Sequence, residues 1–89
     1  MPTIAYFYGI AISMYYNDHN PPHFHAKYGR AKVLVRISDG RIIRGELPTT
    51  ATRMVQAWAL DHRAELENNW ELGRAGRPLE RIAGPDGRG

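Results

Sequence analysis

The sequence predicts an α+β fold: an antiparallel sheet of three to four strands with one long amphipathic helix packed on one face. Two observations predict it. Up to Glu46 the chain is a succession of short β-branched and aromatic runs separated by Gly, Asn and Pro, the composition of strands and turns. From Met54 to Trp70 apolar residues recur at spacings of three and four, the period of a helix that buries one stripe. A sheet and a helix with one apolar face each form a two-layer sandwich by covering one another. The 89 residues suffice for one such core.

Taken in order, Ile4 to Tyr16 reads as one strand, in which Ile10, Ile12 and Met14 alternate with Ala11, Ser13 and Tyr15, and Gly9 marks a bulge or bend. Asn17 to Pro22 is a turn by composition, and Pro21-Pro22 forces an extended entry into a second strand, His23 to Tyr28. After Gly29, Ala31, Val33, Val35 and Ile37 share one face of a third strand. Asp39-Gly40 supplies the two positive-φ positions of a tight hairpin, and Arg41 to Glu46 returns as its partner. Pro48 ends that strand, and Thr49 or Thr50 is expected to cap the helix, whose stripe is Met54, Val55, Trp58, Ala59, His62, Leu66 and Trp70 and whose end is Gly73. Pro78 to Ile82 adds a short edge strand or pins the chain back onto the core. Residues 1–82 are thus expected to form a single α+β domain, with 83–89 a flexible C-terminal tail carrying three glycines and a proline.

Composition narrows the function classes. There are no cysteines, so disulfides and thiolate metal sites are excluded, and any metal must take His, Asp or Glu ligands. No apolar run approaches the ~18 residues of a membrane span, and the N-terminus lacks the basic stretch and apolar core of a signal peptide, so a cytoplasmic protein is expected. Twelve Lys and Arg against nine Asp and Glu give a net charge of +3. The basic residues of the first half, Lys27, Arg30, Lys32, Arg36, Arg41 and Arg44, permit RNA or DNA as a partner without demanding it.

The feature that asks for a chemical explanation is Asp18 to Tyr28, DHNPPHFHAKY, which places three of the four histidines within seven positions. Strand alternation puts His23, His25 and Lys27 on one face and Phe24, Ala26 and Tyr28 on the other, the core face. His19 lies in the turn, where Asp18 is placed to accept a hydrogen bond from an imidazole N–H and fix its tautomer.

Three readings of the cluster follow. In the first, His23 and His25 with one further His or carboxylate, taken as His19, ligate zinc or another divalent metal and leave a position open, as in a metal-dependent enzyme. In the second, His23 and His25 are catalytic, as general acid and base, beside Lys27, Tyr28 and Arg30 on a nucleic-acid backbone, and no cofactor is expected. In the third, the motif only shapes a turn in a non-catalytic interaction or regulatory module. His62, with Glu65 three residues on, reads as a histidine satisfied by a carboxylate or carbonyl, or else as a group that completes the site. Tyr6, Phe7, Tyr8, Tyr15 and Tyr16 exceed what one helix covers, which predicts a homo-oligomer or an obligate partner.

Phe7-Tyr8-Gly9-Ile10, Met14-Tyr15-Tyr16, Asp18-His19, PPHFHA from Pro21 to Ala26, Tyr28-Gly29, Gly45-Glu46-Leu47-Pro48 and Trp58 through His62 to Trp70 resemble the small bacterial proteins grouped as domain-of-unknown-function family 4160. The resemblance runs from Met1 to about Ile82. It implies a part in a toxin–antitoxin type module, because members resemble the proteins of such operons and are encoded beside a second small protein, the expected cognate partner.

Overall fold

A computed structural model describes residues 2–85. The chain is α+β: five strands, β1 (Thr3–Phe7), β2 (Ile10–Ser13), β3 (His23–Tyr28), β4 (Ala31–Arg36) and β5 (Ile42–Gly45), precede two helices, α1 (Thr49–Asp61) and α2 (Arg63–Arg74). The sheet is an antiparallel meander in the order β1-β2-β3-β4-β5.

The sheet has more strands than the three to four expected because the run Ile4 to Tyr16 is a hairpin. Tyr8 and Gly9 both take positive φ, 50° and 79°. That pair of left-handed residues is the backbone requirement of the tightest hairpin turn, so Gly9 reverses the chain instead of bending one strand. The expected Asp39-Gly40 hairpin forms with a longer connection: β4 and β5 are separated by Ile37 to Arg41, and of Asp39 and Gly40 only Gly40 has positive φ. Asp39 serves the turn with its side chain, accepting from the Arg36 guanidinium and from the Arg41 N–H at 3.1 Å. The Arg36 hydrogen bond holds the Asp39 carboxyl down at about 2, helped by the Arg41 N–H. At Gly45, beside an irregular step in the β4–β5 register, φ is +80° and a Cβ would lie 2.3 Å from the Lys32 carbonyl oxygen, so no side chain fits there.

The single helix becomes two because His62 leaves helical geometry at φ −113°, ψ 25°. Its N–H still bonds the Trp58 carbonyl and its own carbonyl accepts from Leu66, so the apolar stripe keeps its period through the break. That stripe is Ala51, Val55, Trp58 and Ala59 on α1, then Leu66, Asn69, Trp70 and Gly73 on α2. Neither Thr49 nor Thr50 caps α1; Pro48 occupies the cap position without a side-chain bond, and Thr52 Oγ1 donates to the Leu47 carbonyl.

Both helices cover one sheet face, burying Ile4, Ala5, Phe7, Ile10, Ile12, Phe24, Ala26, Val33 and Val35. Pro78 to Ile82 forms no strand but pins the chain: the Ile82 N–H bonds the Ile4 carbonyl, and the Asn69 amide clasps the Glu80 backbone at 2.8 Å in both directions. Within the segment expected to be a tail, the Ala83 carbonyl accepts from Trp58 Nε1; residues 86–89 lie outside the described residues. No helix among the described residues is long and apolar enough to cross a membrane. Among the described residues the opposite sheet face carries no helix. Tyr6 projects from it, 56% exposed, in one cross-strand row with Ala11, Lys27 and Lys32.

Candidate metal centre

The centre is assembled by the turn that joins β2 to β3. Pro21-Pro22 brings the chain into β3 at His23, and the turn folds back so that Asp18 stands beside the first residues of that strand. One oxygen of Asp18, Oδ1, accepts the His19 backbone N–H at 2.8 Å, which fixes the carboxylate and leaves Oδ2 facing the imidazoles.

His23 Nδ1 lies 2.8 Å from the Pro21 carbonyl oxygen. A carbonyl only accepts, so Nδ1 carries the proton and donates. Nε2, 3.0 Å from Asp18 Oδ2, then has two uses: it donates to the carboxylate when the ring is an imidazolium, or it offers a lone pair when the ring is neutral. His25, two residues along, projects the same way; its ring centroid is 5.4 Å from that of His23, and its Nε2 is 3.7 Å from the same Oδ2, too far for a hydrogen bond. That Nε2 is buried and has no hydrogen-bond partner. Asp18, His23 and His25 thus each direct one ligand atom to a common point, all within 4.8 Å of one another.

Aromatic rings hold the imidazoles in place. The Trp70 indole of α2 lies 5.3 Å from the His23 ring, and the Tyr15 ring stands edge-on to His25 at 4.5 Å. A cavity of about 370 Å³ opens beside the cluster, bounded by Tyr15, His19, Asn20, Leu34, Ile43 and Arg44 as well as the three ligand residues.

The structure places the sequence-predicted residues unevenly. His23 and His25 come together, but His19 is exposed and outside the converging group; the third ligand atom comes from a carboxylate, Asp18, which the sequence reading names as a hydrogen-bond acceptor. Of the expected outward row, Lys27 is exposed and His25 half-buried, whereas His23 is 7% exposed, because α2 brings Trp70 onto it and strand alternation carries no information about that helix. Lys27, Tyr28 and Arg30 do not make one surface. Lys27 and Tyr28 project from opposite faces, the Tyr28 ring lying next to Gly9, and Arg30 is at the exposed β3–β4 turn. His62 is absent from the centre and pairs with Glu65, Nδ1 to Oε1, at 2.5 Å. Sequence reasoning did not find Tyr15, Trp70 or Arg44 as neighbours of the histidines, since each arrives through tertiary structure.

Burial and the neighbouring His23 lower the His25 pKa below 6.5, against the opposing pull of Asp18, so His25 is neutral and able to ligate near pH 7. Burial raises the Asp18 carboxyl, but the His19 N–H and the two imidazoles outweigh it and the net shift is downward from 3.8. Both groups therefore bind protons less readily folded than unfolded. Their contribution to stability is present above the unfolded values and is lost as pH falls, for His25 below about 6.5 and for Asp18 below about 3.8. The metal-free protein is thus expected to melt at progressively lower temperature from about pH 6.5 to pH 5, with a shallower slope in His25→Asn. Equal slopes in the two proteins would contradict the assignment.

No curated protein and no solved structure matches the chain. A family model does: residues 9–71 match the domain of unknown function DUF4160, a stretch that spans β2 to β5, the turn with Asp18, both histidines and most of the two helices. With more than half of its length matched, including the whole of the converging group, the chain belongs to the DUF4160 family.

Proposed function

We propose that Asp18, His23 and His25 bind a divalent first-row transition metal and that the protein is a small metal-dependent enzyme working in the adjoining cavity. The observation that carries the reading is the buried, unpartnered His25 Nε2 aimed at the Asp18 oxygen that also faces His23 Nε2. A buried polar atom without a partner is costly, and a cation at the common point satisfies all three atoms at once. Distances agree with this. A tetrahedral ion ~2.1 Å from each ligand places the ligands about 3.4 Å apart, against 3.0 and 3.7 Å for the two imidazole–carboxylate separations.

The Pro21 carbonyl is what a metal-binding histidine needs at its other nitrogen, because it fixes the tautomer that leaves Nε2 free. Two imidazoles and one carboxylate are the donor set of open, catalytic sites, and neutral imidazole suits zinc and iron(II) alike. An ion with three protein ligands keeps a position for water or substrate, where it supplies Lewis-acid polarisation. The residues of this chain have the remaining tasks. Asp18 and the imidazoles set the geometry, Tyr15 and Trp70 hold the rings, and Leu34 and Ile43 give the cavity an apolar wall.

The phosphate-facing alternative for His23 loses support from its burial against Trp70. Zinc is the probe of choice. A ligand that binds only the folded state at 100 times its Kd stabilises it by about 2.7 kcal/mol, several degrees in melting temperature for a domain of this size. Zinc, manganese and iron(II) are to be compared under anaerobic conditions. A melt unmoved by all three would remove the proposal.

A further inference from the structure

We propose that the uncovered sheet face docks single-stranded nucleic acid, with Lys27, Lys32 and Arg44 on its phosphates and Tyr6 and Tyr15 stacking on its bases. One phosphate is thereby delivered to the metal centre, and this last part alone rests on the metal reading above.

The face is defined by cross-strand register. Thr3, Ser13, His25, Leu34 and Arg44 form one row of pairs, and Tyr6, Ala11, Lys27 and Lys32 form the next. Neighbouring strands lie ~4.8 Å apart, so the second row spans about 14 Å from β1 to β4. Two cavities sit on this face and share Tyr15, His25 and Leu34 in their walls. One contains the metal ligands and Arg44, the other Lys27 and Lys32. They lie side by side, and the centre is in the first.

The charge on this face is the second observation. Lys27 and Lys32 are directly opposed across β3 and β4, an arrangement that destabilises a sheet unless an anion lies between the two ammonium groups. Neither they nor Arg44 pairs with an acidic residue among the described residues. The acidic side chain lining these cavities is Asp18, which faces the His23 and His25 imidazoles and not the lysines. A polyanion fits such a surface, and the aromatics decide which kind. Tyr6 and Tyr15 are 56% and 43% exposed, and an aromatic ring on an open sheet is a platform for an unpaired base. Duplex bases are already stacked and offer no such partner.

The test is fluorescence anisotropy of a labelled ten-nucleotide RNA, its DNA counterpart and the corresponding duplex, with zinc content measured in parallel by elemental analysis. With three phosphate contacts the affinity for a single strand is expected to fall about 20-fold between 50 and 200 mM salt, and in Lys27→Ala/Lys32→Ala only about threefold. The double variant is also expected to bind at least tenfold more weakly at 50 mM salt while retaining wild-type zinc, and Tyr6→Ala to weaken binding without altering the salt slope. Absence of oligonucleotide binding by protein that retains zinc would overturn this inference and leave the metal centre standing. So would equal binding of the duplex, an unchanged double variant, or a dimer in light scattering that buries Tyr6. Oligonucleotide binding with the expected salt slope in protein that takes up no zinc would support the docking surface and overturn the delivery of a phosphate to a metal.

Discussion

Replacing Trp58 with Ala is expected to cost about 3–5 kcal/mol, a large part of the whole stability of so small a domain, and to leave the protein mostly unfolded at 37 °C. Trp58 is 2% exposed and lies where helix and sheet meet, its ring centroid 5.2 Å from Phe7 of β1 and 5.8 Å from Phe24 of β3. Truncation opens a void between the two layers that neither can close, because Phe7 and Phe24 belong to strands held by register. It also orphans the Ala83 carbonyl, which accepts from the indole N–H, and so releases the segment that returns across β1 at Ile82. Urea denaturation followed by circular dichroism checks this, and a variant with a native-like midpoint would show that Trp58 is not the central packing residue. Trp58→Phe is expected to keep most of the packing and lose mainly the hydrogen bond, about 0.5–1.5 kcal/mol.

The second large effect falls on the centre. Asp18→Asn is expected to reduce zinc affinity by more than the ~10–100-fold that follows loss of a hydrogen-bond partner of a ligand, since here the ligand itself changes from an anion to a neutral amide. The amide oxygen still accepts the His19 N–H, so the turn is expected to survive and the folded content to stay close to wild type. His25→Ala is expected to give the same loss of affinity. The metal-free His25→Ala protein is not expected to melt at a much lower temperature, because the half-buried ring leaves behind a cavity edge and no buried partner. His19→Ala separates the two ligand sets: the converging group predicts near-normal zinc binding, whereas a centre of His19, His23 and His25 predicts its loss. Isothermal titration of the purified variants reads the affinities, and circular dichroism melts of the metal-free proteins read the folded content and melting temperature.

The core was largely legible from sequence, and the reasons are local. The alternation of Phe24 and Ala26 with His25 and Lys27, and the helical stripe from Val55 to Trp70, report burial directly, because side-chain direction follows from the period of the element. What was not legible depends on single backbone torsions or on distant segments. Tyr8 carries no turn signal of its own, yet its positive φ converts one strand into two. The break at His62 leaves the apolar period intact, so periodicity cannot reveal it.

The candidate site divides along the same line. The pairing of His23 with His25 follows from strand geometry, but the choice of Asp18 over His19 is set by the path of the turn through Asn20 and two prolines. The motif therefore displays its donors in sequence but not their selection. Trp70, 47 positions after His23, buries that ring in a way no reading of the motif alone would foresee.

X-ray absorption at the zinc edge on protein loaded with one equivalent of zinc and then dialysed reads whether Asp18, His23 and His25 hold a metal. The expected result is about one tightly held ion per chain, with nitrogen and oxygen scatterers at ~2.0–2.1 Å and the outer-shell signature of two imidazoles. That signature should be lost in His25→Ala. Zinc that dialyses away, or that is retained with no imidazole in its coordination sphere, would contradict it.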